Sequence, residues 1–282
     1  MPNSPNLRND QLDQLTPGSI ALLGAPYDAN SSYLRGAALA PSRIREALHS
    51  PGGNWSVETG GDLQPARDWF DLGDLSLPLQ PGRLEALSDA ALSILQRGAR
   101  LFTLGGDHSI TYALIYAYAQ HHQPLTILQL DAHPDLYDEL DGNRWSHACP
   151  FARILEGKLA QRLVQVGVRA MTDSLRQQAM RFDVQVIEMQ HWQSGLDLGL
   201  EPPFYLSLDL DVLDPAFAPG VSHPEAGGMS VRDVLGLLHS LPGPLIGADL
   251  VEYNPTCDPV GVTAAAAAKL CKEILGKMRL SK

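Results

Sequence analysis

The sequence has few cysteines, no long apolar run and fewer basic than acidic side chains. Its cysteines are Cys149, Cys257 and Cys271, an odd number at wide spacing. This argues against a disulfide framework and a cysteine zinc site, and favours a reducing compartment, the cytoplasm. No apolar run approaches the ~20 residues that cross a bilayer, so we expect no membrane span. The polar N-terminus lacks a basic start followed by an apolar stretch and predicts no secretory signal.

The charge balance is acidic, with 21 basic and 32 acidic side chains and a net charge of -11. This balance argues against nucleic acid as a partner and mildly favours a cationic ligand. The chain has 282 residues, of which 44% are hydrophobic and 19% are charged. Such a composition is typical of a globular protein, and the length allows a sizeable buried core.

Short apolar runs alternate with helical segments along most of the chain. We predict strands at residues 19–23, 101–104, 126–130, 163–168, 184–188, 204–208 and 245–250. We predict helices at residues 41–49, 83–97, 109–121, 149–157, 173–181 and 230–240, with a further helix near the C-terminus. The strands are apolar on nearly every residue, which indicates burial on both faces. The fold prediction is therefore a single three-layer α/β/α domain with a mostly parallel, doubly wound sheet, covering residues 19–282 after an N-terminal arm at 1–18.

Three polar segments directly follow or end predicted strands. They read LGGDHS at 104–109, DAHPD at 131–135 and SLDLD at 207–211. In extended backbone, residues i and i+2 point to the same side, so alternate polar residues can face one site. The candidate metal ligands are His108, Asp131, His133, Asp135, Asp209 and Asp211.

So many carboxylates in a dry pocket would repel one another, and a pair of divalent cations would relieve that repulsion. Nitrogen and oxygen ligands without thiolate favour Mn²⁺, with Ni²⁺, Co²⁺, Fe²⁺ and Zn²⁺ as alternatives. Each segment also has a structural interpretation, as a turn or a helix cap, and Asp214 before Pro215 reads as a turn. All three together at strand ends are hard to explain as caps, and they favour a dinuclear metal site.

With these motifs, the chain resembles the ureohydrolase family of arginases and agmatinases, most closely its plant-type arginase branch. Further similar segments lie at residues 30–36, 146–153, 219–228 and 247–255. The resemblance implies an arginase/deacetylase-like fold and two Mn²⁺ per chain. It implies that one ion is held by His108, Asp131, Asp135 and Asp209, and the other by Asp131, His133, Asp209 and Asp211.

The resemblance also implies catalytic roles for three residues. Glu252 would bind the substrate guanidinium, as a carboxylate can in a charge-assisted pair. His147 would shuttle a proton, which suits an imidazole at neutral pH, and Asp135 would take the proton of the attacking hydroxide. His223 either orients the substrate or is a loop histidine, and both readings stay open.

The implied reaction is hydrolysis of a small guanidino compound to urea and an amine. L-arginine, giving L-ornithine, is the first candidate; agmatine, giving putrescine, is the second, followed by other guanidino compounds. A site that hydrogen-bonds the α-carboxylate would discriminate among them, with Asn143 and Ser146 as candidate contacts. The family also implies a homo-oligomer, a trimer or hexamer. The alternative of another class is a metal-dependent deacylase or a non-catalytic binding protein on the same fold.

Overall fold

Eight parallel strands form one sheet in the computed structural model, which describes residues 9–243 and 245–279. The strands, in chain order, are β1 Ile20–Gly24, β2 Phe70–Asp74, β3 Arg100–Leu104, β4 Thr126–Leu130, β5 Arg162–Val168, β6 Gln185–Glu188, β7 Phe204–Asp209 and β8 Leu245–Val251. Their order across the sheet is β2-β1-β3-β8-β7-β4-β5-β6. The predicted three-layer α/β/α fold is confirmed.

Helices cover both faces of the sheet. They are α1 Asn9–Leu12, α2 Ala40–Leu48, α3 Glu85–Leu95, α4 Ile110–Tyr118, α5 Pro150–Glu156, α6 Asp173–Arg181, α7 Val231–Ser240 and α8 Val262–Arg279. Side chains of α2, α7 and α8 contribute to the core on one face, and those of α3 to α6 contribute to the core on the other. None of the helices in the described ranges is long and apolar enough to span a membrane.

Strand β1 shows why these apolar runs become parallel strands. Ile20 and Leu22 pack into one core, whereas Ala21 and Leu23 pack into the other. Successive side chains of a strand point to opposite faces, so a strand covered on both faces must be apolar throughout. The predicted strands correspond to seven of the eight observed.

The prediction missed β2, which lies at one edge of the sheet. Its sequence, FDLGD, carries two carboxylates and a glycine, and of its five residues only Leu72 is buried. Arg45 of α2 donates to Asp71 and also pairs with Asp74. A strand that buries little apolar surface gives a weak sequence signal.

Part of the predicted N-terminal arm is packed on the domain. Leu12, at the end of α1, and the nearby Leu15 are both buried in the core of the α3 face. Residues 1–8 lie outside the described residues. The boundary between the arm and the domain therefore stays a prediction.

The four central strands position the polar segments. Strands β3, β8, β7 and β4 are neighbours in the sheet, in that order. Because all of them are parallel, their carboxyl ends meet at one edge, where ligands bind in open α/β sheets. The ends of these strands and the segments that follow them contain all the candidate metal ligands and Glu252.

Candidate active site

The turn after β3 places His108 at the floor of the candidate site. Gly106 approaches the Tyr27 backbone so closely that an added Cβ would lie 1.8 Å from the Tyr27 carbonyl oxygen. Only glycine fits there, since a side chain would displace this turn. The His108 side chain is fully buried at the floor of the site.

Three carboxylates surround the Nδ1 atom of His108. Asp131 Oδ2 lies 3.1 Å from it, Asp135 Oδ2 3.0 Å and Asp209 Oδ2 3.1 Å. Within the described residues, this buried nitrogen makes no hydrogen bond of acceptable geometry. Two ligands bound at right angles, each about 2.1 Å from one ion, are about 3 Å apart. The spacing is therefore what a shared cation requires.

A buried polar chain fixes the tautomer of His108. Its Nε2 lies 2.9 Å from Ser207 Oγ, and that hydroxyl donates its proton to Asp249 Oδ1 at 2.7 Å. Since a hydroxyl has only one proton, His108 Nε2–H must be the donor to Ser207. In the neutral ring, Nδ1 then presents a lone pair to three carboxylates. That arrangement is repulsive unless a cation, or a proton on Nδ1, lies between them. Although burial opposes protonation, the three carboxylates raise the pKa of His108 well above its usual range.

A second group of ligands lies beside the first. His133 Nδ1 lies 2.8 Å from Asp211 Oδ2 and 3.6 Å from Asp131 Oδ1. Asp131 therefore faces both groups and can bridge two ions. Backbone donors orient these carboxylates, since Ala132 N–H donates to Asp211 at 3.0 Å and Asp211 N–H donates to Asp209 at 2.8 Å.

The electrostatics of the cluster favour bound cations. Burial raises the pKa of Asp209 well above its usual range, and repulsion from Asp211 and Asp131 raises it further. Asp135 lies in the left-handed backbone region at φ 51°, which a non-glycine residue adopts at some cost. Divalent ions would stabilise the ionised form of all four aspartates. The donor set, nitrogen and carboxylate oxygen without sulfur, fits such ions.

Glu252 and His147 form a pair above the metal ligands. Glu252 follows β8 with φ 63°, again in the left-handed region, and its Oε1 accepts the His108 N–H at 2.8 Å. His147 Nδ1 lies 2.9 Å from the same oxygen, and its Nε2 lies 2.9 Å from Ser32 Oγ. Although burial opposes protonation, Glu252 raises the pKa of His147 to about 9. Glu252 Oε2 takes no part in either bond.

A cavity of about 500 Å³ opens over these side chains. His223 lies on its wall, with ring centroids 4.9 Å from His147 and 6.2 Å from His133. Burial lowers the pKa of His223 to about 4, and the neighbouring His147 adds to this effect. His223 is therefore neutral at pH 7 and faces the cavity, a position from which it can contact a ligand.

Comparison with known proteins agrees with this geometry. Residues 18–276 match the Arginase family. The chain belongs to the arginase family. It is 44% identical over 279 residues to "Arginase 1, mitochondrial" of Arabidopsis thaliana, covering 92% of this chain and 81% of that protein. It is 34% identical to "Proclavaminate amidinohydrolase" of Streptomyces clavuligerus, covering 91% and 87%.

The solved arginase from Medicago truncatula has a similar structure. Its TM-score with this chain is 0.84 at 39% identity, covering 92% of this chain and 87% of that one. The resemblance to the plant-type branch of the arginase family is thus confirmed.

Two residues predicted to contact substrate lie away from the cavity of this arginase-family chain. Asn143 Oδ1 accepts the Trp145 N–H at 2.9 Å, and its amide donates to Asn30 Oδ1 at 3.3 Å. Ser146 is buried, and its hydroxyl accepts from the Ala148 N–H. Neither residue lines the cavity, because the loop turns their side chains back onto their own backbone and onto Asn30.

Five further residues at this arginase-family site were not predicted from the sequence. Ser32, Arg169 and Glu225 line the cavity, and Ser207 and Asp249 support His108. Ser207 and Asp249 could have been identified from the sequence, since each is a polar residue inside an apolar strand. The strand register places them directly opposite one another.

Proposed function

We propose that this chain is a manganese-dependent ureohydrolase that converts L-arginine and water into L-ornithine and urea. The observation that carries the proposal is the pair of ligand groups, His108/Asp131/Asp209 and Asp131/His133/Asp211, at the floor of one cavity with Glu252 beside them. The arginase names of relatives at 44% identity support L-arginine as the substrate.

Each residue of the site has its own role in the proposed reaction. When bound, the metal pair lowers the pKa of water toward neutrality and so supplies the nucleophile that attacks the guanidinium carbon. Glu252 Oε2 is free to accept N–H bonds from the guanidinium and holds it in place. Asp135 takes a proton from the nucleophile. As the bond from the guanidinium carbon to the chain nitrogen breaks, that nitrogen gains a proton from Asp135 or His147.

Mn²⁺ is the metal that we propose. The ligands are carboxylate oxygen and imidazole nitrogen, which suit Mn²⁺, and also Ni²⁺, Co²⁺, Fe²⁺ and Zn²⁺. The test is elemental analysis of the purified protein, followed by activity after reconstitution of metal-free protein with each ion. The proposal predicts two ions per chain and the highest activity with Mn²⁺. One tightly held zinc would favour a deacylase instead.

Agmatine is a second candidate substrate, and the cavity wall supports it. Glu225 lines that wall, and a carboxylate there would suit an ammonium group, which both L-arginine and agmatine carry. Arg169 lines the same wall, but its guanidinium donates hydrogen bonds to backbone carbonyl groups. A substrate carboxylate would therefore depend on other donors of the wall, such as the hydroxyl groups of Ser32, Tyr137 and Thr172.

Urea release from Mn²⁺-loaded protein tests the function. L-Arginine, agmatine and 4-guanidinobutyrate are compared at equal concentration, and we expect that order of activity. The Asp211→Asn variant should lose activity because it removes a ligand, whereas the exposed Asp183→Asn variant should retain it. Urea from agmatine alone would replace arginase with agmatinase, and no urea from any of the three would refute the proposal.

We propose a homo-oligomer, a trimer or hexamer, as the assembly. The proposal is supported by the family to which the chain belongs. Light scattering of the purified protein gives the mass of the particle. A mass of one 30.5 kDa chain would contradict it.

We propose the cytoplasm as the location. All three cysteines are free thiols, as a reducing compartment keeps them. The Arabidopsis thaliana relative is named mitochondrial, so fractionation of the source cells is the deciding measurement.

A further inference from the structure

Arg169 lies on the cavity wall, immediately after β5. Within the described residues, every hydrogen bond of its guanidinium ends on a backbone carbonyl. The acceptors and distances are Gly167 3.2 Å, Asp211 2.7 Å, Val212 3.3 Å, Leu213 3.3 Å and Glu225 2.6 Å. The planar fork of arginine presents five N–H donors, and lysine cannot reproduce that geometry.

Three of these carbonyls, those of Asp211, Val212 and Leu213, belong to the segment that carries the candidate ligand Asp211. Asp211 is itself a ligand, and the two residues after it are held by the same guanidinium. The backbone of Arg169 is also engaged, since its N–H and that of Ala170 donate to the Ala132 carbonyl at 2.9 and 3.1 Å. Ala132 directly precedes the ligand His133. One residue thus connects the two loops that carry Asp211 and His133.

The local sequence leaves space for this guanidinium. A Cβ added to Gly228 would lie 2.5 Å from Arg169 Nη2 and 2.7 Å from the Val212 carbonyl oxygen. Any larger residue at this position would push the guanidinium away from its acceptors. Gly228 is therefore part of the same arrangement.

The other ligand group has a separate support. His108 is held through Ser207 and Asp249, side chains of β7 and β8, and Arg169 bonds to none of the three. We propose that Arg169 is a positioning residue whose guanidinium fixes Asp211, next to the His133 loop that its backbone holds, and so sets the affinity of one of the two metal positions. This inference rests on the metal pair of the proposed function.

The test is a titration of metal-free protein with Mn²⁺. Calorimetry measures the heat of binding, and electron paramagnetic resonance distinguishes bound from free Mn²⁺. In the Arg169→Lys variant, one ion should bind about 10–100-fold more weakly and the other as in the wild type. The Gly228→Ala variant should weaken the same ion. Arg153→Lys is the matched control, because the Arg153 guanidinium also donates to a backbone carbonyl, but to that of Asp138, and to the Asp138 carboxylate. It should leave both affinities unchanged.

Several results would overturn the inference. Equal losses for both ions, or no loss in a folded Arg169→Lys variant, would contradict a selective role. If both the Arg169 and Gly228 variants failed to fold, as judged by circular dichroism, the fold rather than the metal would need the guanidinium. A wild type that binds fewer than two ions would refute the proposed function as well, whereas equal losses would leave that function intact.

Discussion

Replacing Glu252 with glutamine tests the proposed binding of the substrate guanidinium. Glutamine preserves the shape and an oxygen that can accept from His108 N–H, which lies 2.8 Å from Oε1 in the structure. The change removes the negative charge that Oε2 would present to the substrate. We therefore expect a folded, metal-binding variant with weakened substrate binding.

The size of the effect follows from the bond that is lost. Hydrogen bonds to charged groups contribute about 1.5–3 kcal/mol. The variant loses one such bond, the one between the substrate guanidinium and the charged Oε2. Since about 1.4 kcal/mol corresponds to a factor of ten, KM for L-arginine should rise about 10–150-fold. A group that binds substrate and transition state equally affects KM, so kcat should change far less.

Initial rates of urea release over a range of L-arginine concentrations give both constants. Glu273→Gln is the matched control, because Glu273 is also a buried carboxylate but lies on α8 and bonds to Lys269 and His239. It should leave KM unchanged. If Glu252→Gln lowered kcat with KM unaltered, Glu252 would act through His147 rather than on the substrate, and the reasoning would be refuted.

Three further outcomes follow from the structure. Ser207→Ala leaves the His108 N–H without its acceptor and should weaken Mn²⁺ binding about 10–100-fold, as measured by titration, whereas Ser88→Ala, remote from the site, should not. Burial opposes ionisation of Glu273, but Lys269 outweighs it and holds the pKa below its usual range. The ionised Glu273 carboxylate therefore stabilises the fold at pH values above its unfolded pKa of about 4.3, and this contribution is lost as the pH falls. The melting temperature of Glu273→Gln should depend less on pH between about 5 and 3 than that of the wild type. Mn²⁺ at 100 times the Kd of a site should stabilise metal-free protein by about 2.7 kcal/mol for each site occupied, and a melting temperature that does not respond to Mn²⁺ would contradict the metal site.

The clustering of the candidate ligands could be predicted from the sequence because strand geometry is local. Asp209 and Asp211 are two residues apart at the end of a buried strand, as are Asp131 and His133 after another. Parallel strands bring such segments to one edge of the sheet whatever their distance along the chain. Glu252 follows from the same rule, since it comes directly after β8.

The residues of the cavity wall were harder to predict, because loop conformation depends on distant partners. Asn143 lies in a loop after a ligand segment, where a contact to substrate was expected. In the structure its amide bonds to Asn30, more than 100 positions earlier. The cavity wall instead includes Ser32 and Glu225, which come from separate parts of the chain. No local pattern marks such residues.

The two kinds of support for the site explain this difference. His108 is held through β7 and β8, where the register sets Ser207 opposite Asp249, so polar residues in apolar strands reveal the support. Asp211 and His133 lie beyond the strand ends, where backbone pairing next to Asp211 is reduced to an isolated bridge between Leu213 and Met229. Their loops need donors from elsewhere, and Arg169 supplies them to carbonyl groups, which every residue has. Because the Arg169 guanidinium donates hydrogen bonds only to backbone carbonyl groups among the described residues, the types of its partner residues give no sequence signal. These contacts can be identified only from the folded structure.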